Sequence, residues 1–153
     1  QKGTSASADA FSMMVIEPDP ADLRSFIELA RSDIKTQKAI ILAQNMTFTE
    51  SEAVDFWPVY REYDLELSKL YDRRFAMIKR FIGSAEHMSD ADARKLADEA
   101  LSLESDRTAL KRKYFKKFTK VIPPAKAARF FQIENQVNTA IDQRIAAAMP
   151  LIK

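Results

Sequence analysis

From Thr49 onward the apolar residues Ala53, Phe56, Trp57, Tyr60, Tyr63, Leu67, Leu70, Tyr71, Ile78, Phe81 and Ile82 hold one helical phase for about eight turns of roughly 3.6 residues. So long an unbroken stripe predicts a single long helix with one face against the core. Thr49 with Glu52 three residues on forms a capping box, in which hydroxyl and carboxylate take up amide donors that a helix N-terminus leaves unpaired. Pro58 falls inside the stripe without resetting its phase. It removes one backbone bond and crowds the carbonyl of Val54, a cost of about 3 kcal/mol in a straight helix, so the expectation is one helix kinked at Pro58.

The rest of the chain reads the same way. Asp19 before Pro20 is a start signal, an N-cap acceptor followed by a residue already set to helical φ. A first helix is expected from about Pro20 to Gln44, with Leu23, Phe26, Ile27, Ala30, Ile34, Ile41 and Leu42 as its stripe and Asn45 as its stop. The second helix should run from about Glu50 to Ile82 and turn at Gly83-Ser84. Ser89 caps a third, whose stripe of Ala93, Leu96, Ala97, Ala100, Leu103, Leu110, Tyr114, Phe118 and Val121 ends at Pro123-Pro124. A fourth starts at Pro124, presents Ala127, Phe130, Phe131, Val137, Ile141 and Ile145, and frays into Met149-Pro150. Only two glycines occur in 153 residues and few segments alternate apolar with polar, which disfavours sheets. The predicted fold class is all-α, with four long helices in antiparallel hairpins. Residues 1–18 are expected to form an arm with one sticky patch at Phe11, Met13, Met14, Val15 and Ile16, residues 19–149 a single four-helix domain, and 150–153 a tail. Helices of about 32 residues span about 50 Å and make a thin protomer, so a homodimer covering leftover apolar stripes is expected.

Composition narrows the function classes. The chain is 46% hydrophobic and 30% charged, with no run approaching the roughly 18 apolar residues of a transmembrane helix. Its net charge of +2 lies far from that of a dedicated nucleic-acid binder, and no nucleic-acid partner is expected. The absence of cysteine removes disulfides, thiolate nucleophiles and cysteine-based metal sites.

The stretch from Met46 to Tyr60, the cluster Tyr114-Phe115-Lys116-Lys117-Phe118 and the run from Val121 to Phe130 together resemble the Spy/CpxP superfamily of small periplasmic all-α chaperones and stress or metal sensors. In that family a Leu-Thr-x-x-Gln phrase opens two of the helices. Phe48-Thr49-Glu50-Ser51-Glu52 is similar to it, with Phe for Leu and Glu for Gln. The second copy, Ile122-Pro123-Pro124-Ala125-Lys126, keeps the apolar start but lacks the Thr and the Gln. The resemblance spans about residues 39 to 148. It implies a curved protomer, an antiparallel cradle-shaped dimer and a concave surface holding unfolded or envelope-associated proteins. It also implies a periplasmic location, with a secretory signal removed before Gln1.

Lys111, Arg112, Lys113, Lys116, Lys117 and Lys120, interleaved with Tyr114, Phe115 and Phe118, form the densest charge feature. Cations in the last turns of a helix favour its negative end, and lysine stems screen apolar surface, so a solvated helix end accounts for much of it. The functional reading makes Lys111, Arg112, Phe115, Lys116, Lys117 and Lys120 a client surface, where positive charge captures acidic unfolded chains and aromatic groups hold them. A signalling or anti-sigma-type interaction module is the alternative, with the first helix or the arm as docking element, and a nucleic-acid-binding helical protein, whose basic helix with aromatic residues would hold phosphates and stack bases, ranks behind both. His87 is the only histidine and Met88 its neighbour; one imidazole is not a metal site, and no metal or other cofactor is expected. The six methionines show no repeated spacing and read as adaptable core fillers. No nucleophile, base and pocket come together, and no glycine-rich phosphate loop is present, so neither enzymatic activity nor ATP use is expected. Arg107 and Glu134 each lie on the apolar phase of a helix, and an ion pair between them is expected to set register.

Overall fold

The structure, a computed structural model, describes residues 35–153. Among them the chain is all-α: helix α1 over 35–45, α2 over Glu50–Ile82, α3 over Asp90–Phe118 and α4 over Pro124–Ala148, with no strand. The expected first-helix start at Asp19-Pro20, most of that helix's stripe, and the N-terminal arm with its apolar patch lie outside the described residues. No described helix is long and apolar enough to cross a membrane.

Local chemistry accounts for the helix ends. Thr49 Oγ1 accepts the amide of Glu52 at 3.2 Å, and Ser89 Oγ accepts that of Asp92 at 3.1 Å. The Glu52 carboxylate takes a backbone hydrogen bond from Thr49 in return, the reciprocal half of the expected box, and adds two contacts to it. The Glu52 carboxylate accepts from the Thr49 hydroxyl at 3.1 Å and from Lys126 Nζ at 2.7 Å, so it ties α2 to α4. Asn45 ends α1, its Nδ2 donating to the Ile41 carbonyl at 2.8 Å. Pro58 sits inside α2, which continues through it. Gly83 keeps a right-handed conformation, φ −69°, where the chain turns into residues 84–89. α3 stops at Phe118, short of Pro123, as the Ile122 amide reaches back to the Phe118 carbonyl at 2.9 Å. Pro124 occupies the first turn of α4, where a missing N–H costs nothing.

Charged side chains record how α2 and α3 lie together. Glu62 meets Lys117, Glu66 meets Lys113, Asp106 meets Arg73 and Glu99 meets Arg80, at 3.1, 3.2, 2.7 and 2.6 Å. Each step forward along α2 is matched by an equal step back along α3, the pairing of antiparallel helices. α4 runs alongside α2 in the same sense, through Glu52 with Lys126, Tyr63 with Glu134, Tyr71 with Asn138 and Arg74 with Asp142.

The main core is aromatic. Phe56, Tyr63, Tyr114, Phe118 and Phe130 are fully enclosed, with Leu42 and Met46 of α1 and its C-terminal boundary in the same cluster. Phe118 lies 5.1 Å from Phe56 and 4.7 Å from Phe130 between ring centroids. Each such side chain contributes about 1.5–3 kcal/mol by leaving water. A smaller cluster of Met77, Ile78 and Leu103 is completed by Leu96, Ile145 and Met149 at the other end of the helices. Ala97 departs from its expected place on the buried stripe and is exposed.

Candidate functional site

The basic cluster of α3 divides into faces because helical neighbours point about 100° apart. Lys113 and Lys117, four residues apart, turn to α2, where they pair with Glu66 and Glu62 and lie 5.5 and 5.0 Å from the Tyr114 ring centroid. Tyr114 itself donates to Glu66 at 3.1 Å. Burial opposes ionisation of Glu66, but the bonds from Lys113 and Tyr114 outweigh it and hold the carboxyl below its usual range. Lys111 turns the other way and donates to Asn135 Oδ1 of α4 at 2.7 Å. Partial burial, then the neighbouring Arg107, pulls its pKa down.

Arg112, Lys116 and Lys120 remain, one stripe at i, i+4 and i+8, exposed and without an ion pair among the described residues. Phe115 shares that edge. Its ring is 39% exposed and packs its other side toward Phe131 at 6.2 Å. The six predicted client residues therefore separate: Arg112, Phe115, Lys116 and Lys120 form one outward edge, whereas Lys117 and Lys111 serve contacts between helices.

The expected ion pair between Arg107 and Glu134 does not form. Arg107 Nη2 donates to Asp142 Oδ2 at 3.0 Å, and Arg74 Nη1 to Asp142 Oδ1 at 2.5 Å. Glu134, with no exposed surface, pairs with Lys38 of α1 at 2.7 Å. The register explains the difference. Pro123 lies midway between Lys111 and Asn135, and midway between Phe115 and Phe131, both of which are in contact. Arg107 is therefore more than one helical turn farther from the fold-back than Glu134 is, level with the turn of α4 that carries Asp142.

Around Glu134 lies a polar seam. Oε1 accepts from Lys38 Nζ at 2.7 Å, Tyr63 OH at 3.0 Å and Asn138 Nδ2 at 3.4 Å, and Asn138 Oδ1 accepts from Tyr71 OH at 2.7 Å. Oε2 is buried with no hydrogen-bond partner among the described residues. Burial, then the charge of Glu134, pushes the phenols of Tyr63 and Tyr71 up, the latter to about 12, so both stay protonated donors. Lys38 is 3% exposed, and its ammonium also lies 3.9 Å from Asp64. Lys38, Asn138 and Asp142 escaped the sequence reading, although a signal was there. Lys38 stands four and eight residues before the buried Leu42 and Met46, and Asn138 and Asp142 stand four and eight after Glu134.

His87 is exposed in the α2–α3 connection, and no group of three or more metal-ligating side chains occurs among the described residues. The groove between α2 and α3 is open and crossed by the Arg73–Asp106 and Lys113–Glu66 pairs. No protein-family model matches the chain, and neither a curated protein nor a solved structure is significantly similar to it.

Proposed function

We propose that this protein is a periplasmic binding protein that holds unfolded or envelope-associated proteins without ATP and without covalent chemistry, contacting them through Arg112, Phe115 and Lys116 of α3 and Lys120 in the turn just after it. The observation that carries this reading is the uneven commitment of the basic cluster. Lys111, Lys113 and Lys117 are engaged within the fold, while three cations and a part-exposed aromatic ring are left together on one edge. Unpaired charge of this kind attracts acidic, partly unfolded chains at long range, and an exposed ring adds weak, sequence-tolerant contact. The resemblance of the Thr49 phrase to the Spy/CpxP superfamily supports the same reading and the same compartment. A curved, dimeric cradle belongs to this proposal, with Pro58 of α2 as the source of curvature.

The test is suppression of aggregation of an unfolded model protein, without nucleotide, comparing the parent with Lys116→Glu/Lys120→Glu. The expected outcome is suppression by the parent at near-stoichiometric ratios and a several-fold loss in the variant, which stays folded with only the small destabilisation of a reversed helix-end charge. Equal suppression by both would move the binding surface elsewhere. No suppression by the parent would favour a signalling module with one specific partner.

A further inference from the structure

Lys38, Leu42 and Met46 are buried at i, i+4 and i+8 along α1 and its C-terminal boundary, the pattern of a helix laid into a groove. α2 and α4 supply the groove. The Lys38 ammonium reaches Glu134 at 2.7 Å and lies 5.7 and 5.5 Å from the ring centroids of Tyr60 and Tyr63, while Leu42 and Met46 join the cluster of Phe56 and Phe130. All of these groove residues follow the link over 46–49, and only that link makes the docking of α1 intramolecular.

The link is short and strained. Thr47 has φ 47°, in the left-handed region that a β-branched residue resists. Its carbonyl accepts from Lys126 Nζ at 3.1 Å, and the same ammonium holds Glu52 in the first turn of α2. One lysine of α4 thus clamps the fold-back of α1 onto α2.

We propose that α1 is an exchangeable element, which docks through Lys38, Leu42 and Met46 into the α2–α4 groove of a second copy and so builds a symmetric, swapped dimer. Every groove contact is reproduced between copies. The closed and exchanged forms then differ only at the link, where opening releases Thr47 from its strained conformation, the circumstance that favours swapping. Glu134 makes the groove selective. An occupant without a cation at the position of Lys38 would leave a carboxylate buried and unpaired, and a second copy carries that cation by identity.

Charge reversal tests this directly. Lys38→Glu sets two carboxylates together in the groove and Glu134→Lys sets two ammonium groups together, so each chain alone is expected to melt well below the parent. Refolded together, the two can form a swapped heterodimer in which both grooves hold an opposite-charge pair. The expected result is a doubled scattering mass and recovery of most of the lost melting temperature, on mixing only. The proposal is overturned if the mixture stays as unstable as its components while the single chain carrying both reversals recovers as a monomer. It is equally overturned if mass doubles on mixing without recovery of stability. Should either reversed chain fail to fold, Lys38→Met and Glu134→Gln pose the same question more gently. Their swapped heterodimer restores one native ion pair and one neutral pair, and absence of recovery on mixing these two also overturns the proposal.

Discussion

Glu134 is the residue whose environment demands most. A carboxylate with no exposed surface, it is held at one oxygen by Lys38, Tyr63 and Asn138. Interiors tolerate such a charge only when it is paired, and removing one partner of a buried pair costs about 3–5 kcal/mol because the other is left uncompensated. Lys38→Met and Glu134→Leu are each expected to destabilise the fold by about that much, and the double variant by clearly less than the sum. A double-mutant cycle in urea measures the coupling, and additive costs would mean that the pair contributes nothing. Tyr63→Phe removes a hydroxyl donor from the same oxygen and is expected to cost about 1.5–3 kcal/mol, the range for a hydrogen bond to a charged group.

At the scale of the element, caps and links carry the prediction. Thr49→Ala and Ser89→Ala each remove an acceptor for a helix-end amide and are expected to cost about 1 kcal/mol, read from the urea midpoint. Both hydroxyls also donate to the carboxylate three residues on, but Thr49 should be the more sensitive site because its carboxylate partner, Glu52, is also held by Lys126 of α4. Thr47→Gly acts in the opposite direction. Relief of a left-handed β-branched residue, worth about 1–2 kcal/mol, exceeds the roughly 0.5–1 kcal/mol of extra glycine entropy, so a small gain in the midpoint is expected. The two lysine pairs of α3 separate by the same assay. Lys113→Glu/Lys117→Glu breaks the ladder to α2 and lowers stability, whereas Lys116→Glu/Lys120→Glu breaks no pair and costs only the weaker helix-end interaction, about 0.3–1 kcal/mol for a charge in the last turn. Equal effects would contradict the division of the basic cluster into faces.

Among the described residues, two apolar clusters are accompanied by charged pairs that tie the helices together, and those pairs set the response to acid. A bond from Lys126 holds the Glu52 carboxyl below its ordinary value of 4.5. Burial opposes ionisation of Asp142, yet bonds from Arg107 and Arg74 outweigh it and hold the group below 3.8. Glu66 is lowered in the same sense. A carboxylate depressed in the folded state adds stability that is complete above its unfolded pKa and is lost as pH falls through the folded one. The urea midpoint is therefore expected to hold steady from neutrality to about pH 5 and to fall below about pH 4.5, and Arg74→Ala should flatten the decline. A midpoint that does not fall on acidification would show these pairs to be energetically silent.

How much of this was legible beforehand depended on how far the relevant physics reaches along the chain. Helix ends at Thr49, Ser89 and Pro124, and the buried phase of α2, were written locally, since a cap or a 3.6-residue stripe involves neighbours within a few residues. Periodicity tells which face of a helix is inward but not how far one helix slides past another. That axial offset comes from the shape of the connection. It gave Arg107 to Asp142, left Glu134 for Lys38, and sorted the basic cluster at the end of α3 into residues with and without ion pairs among the described residues. The sequence by itself determined the helices and their inward faces; only the tertiary structure decided which charges meet, because pairing depends on register between segments far apart in the chain.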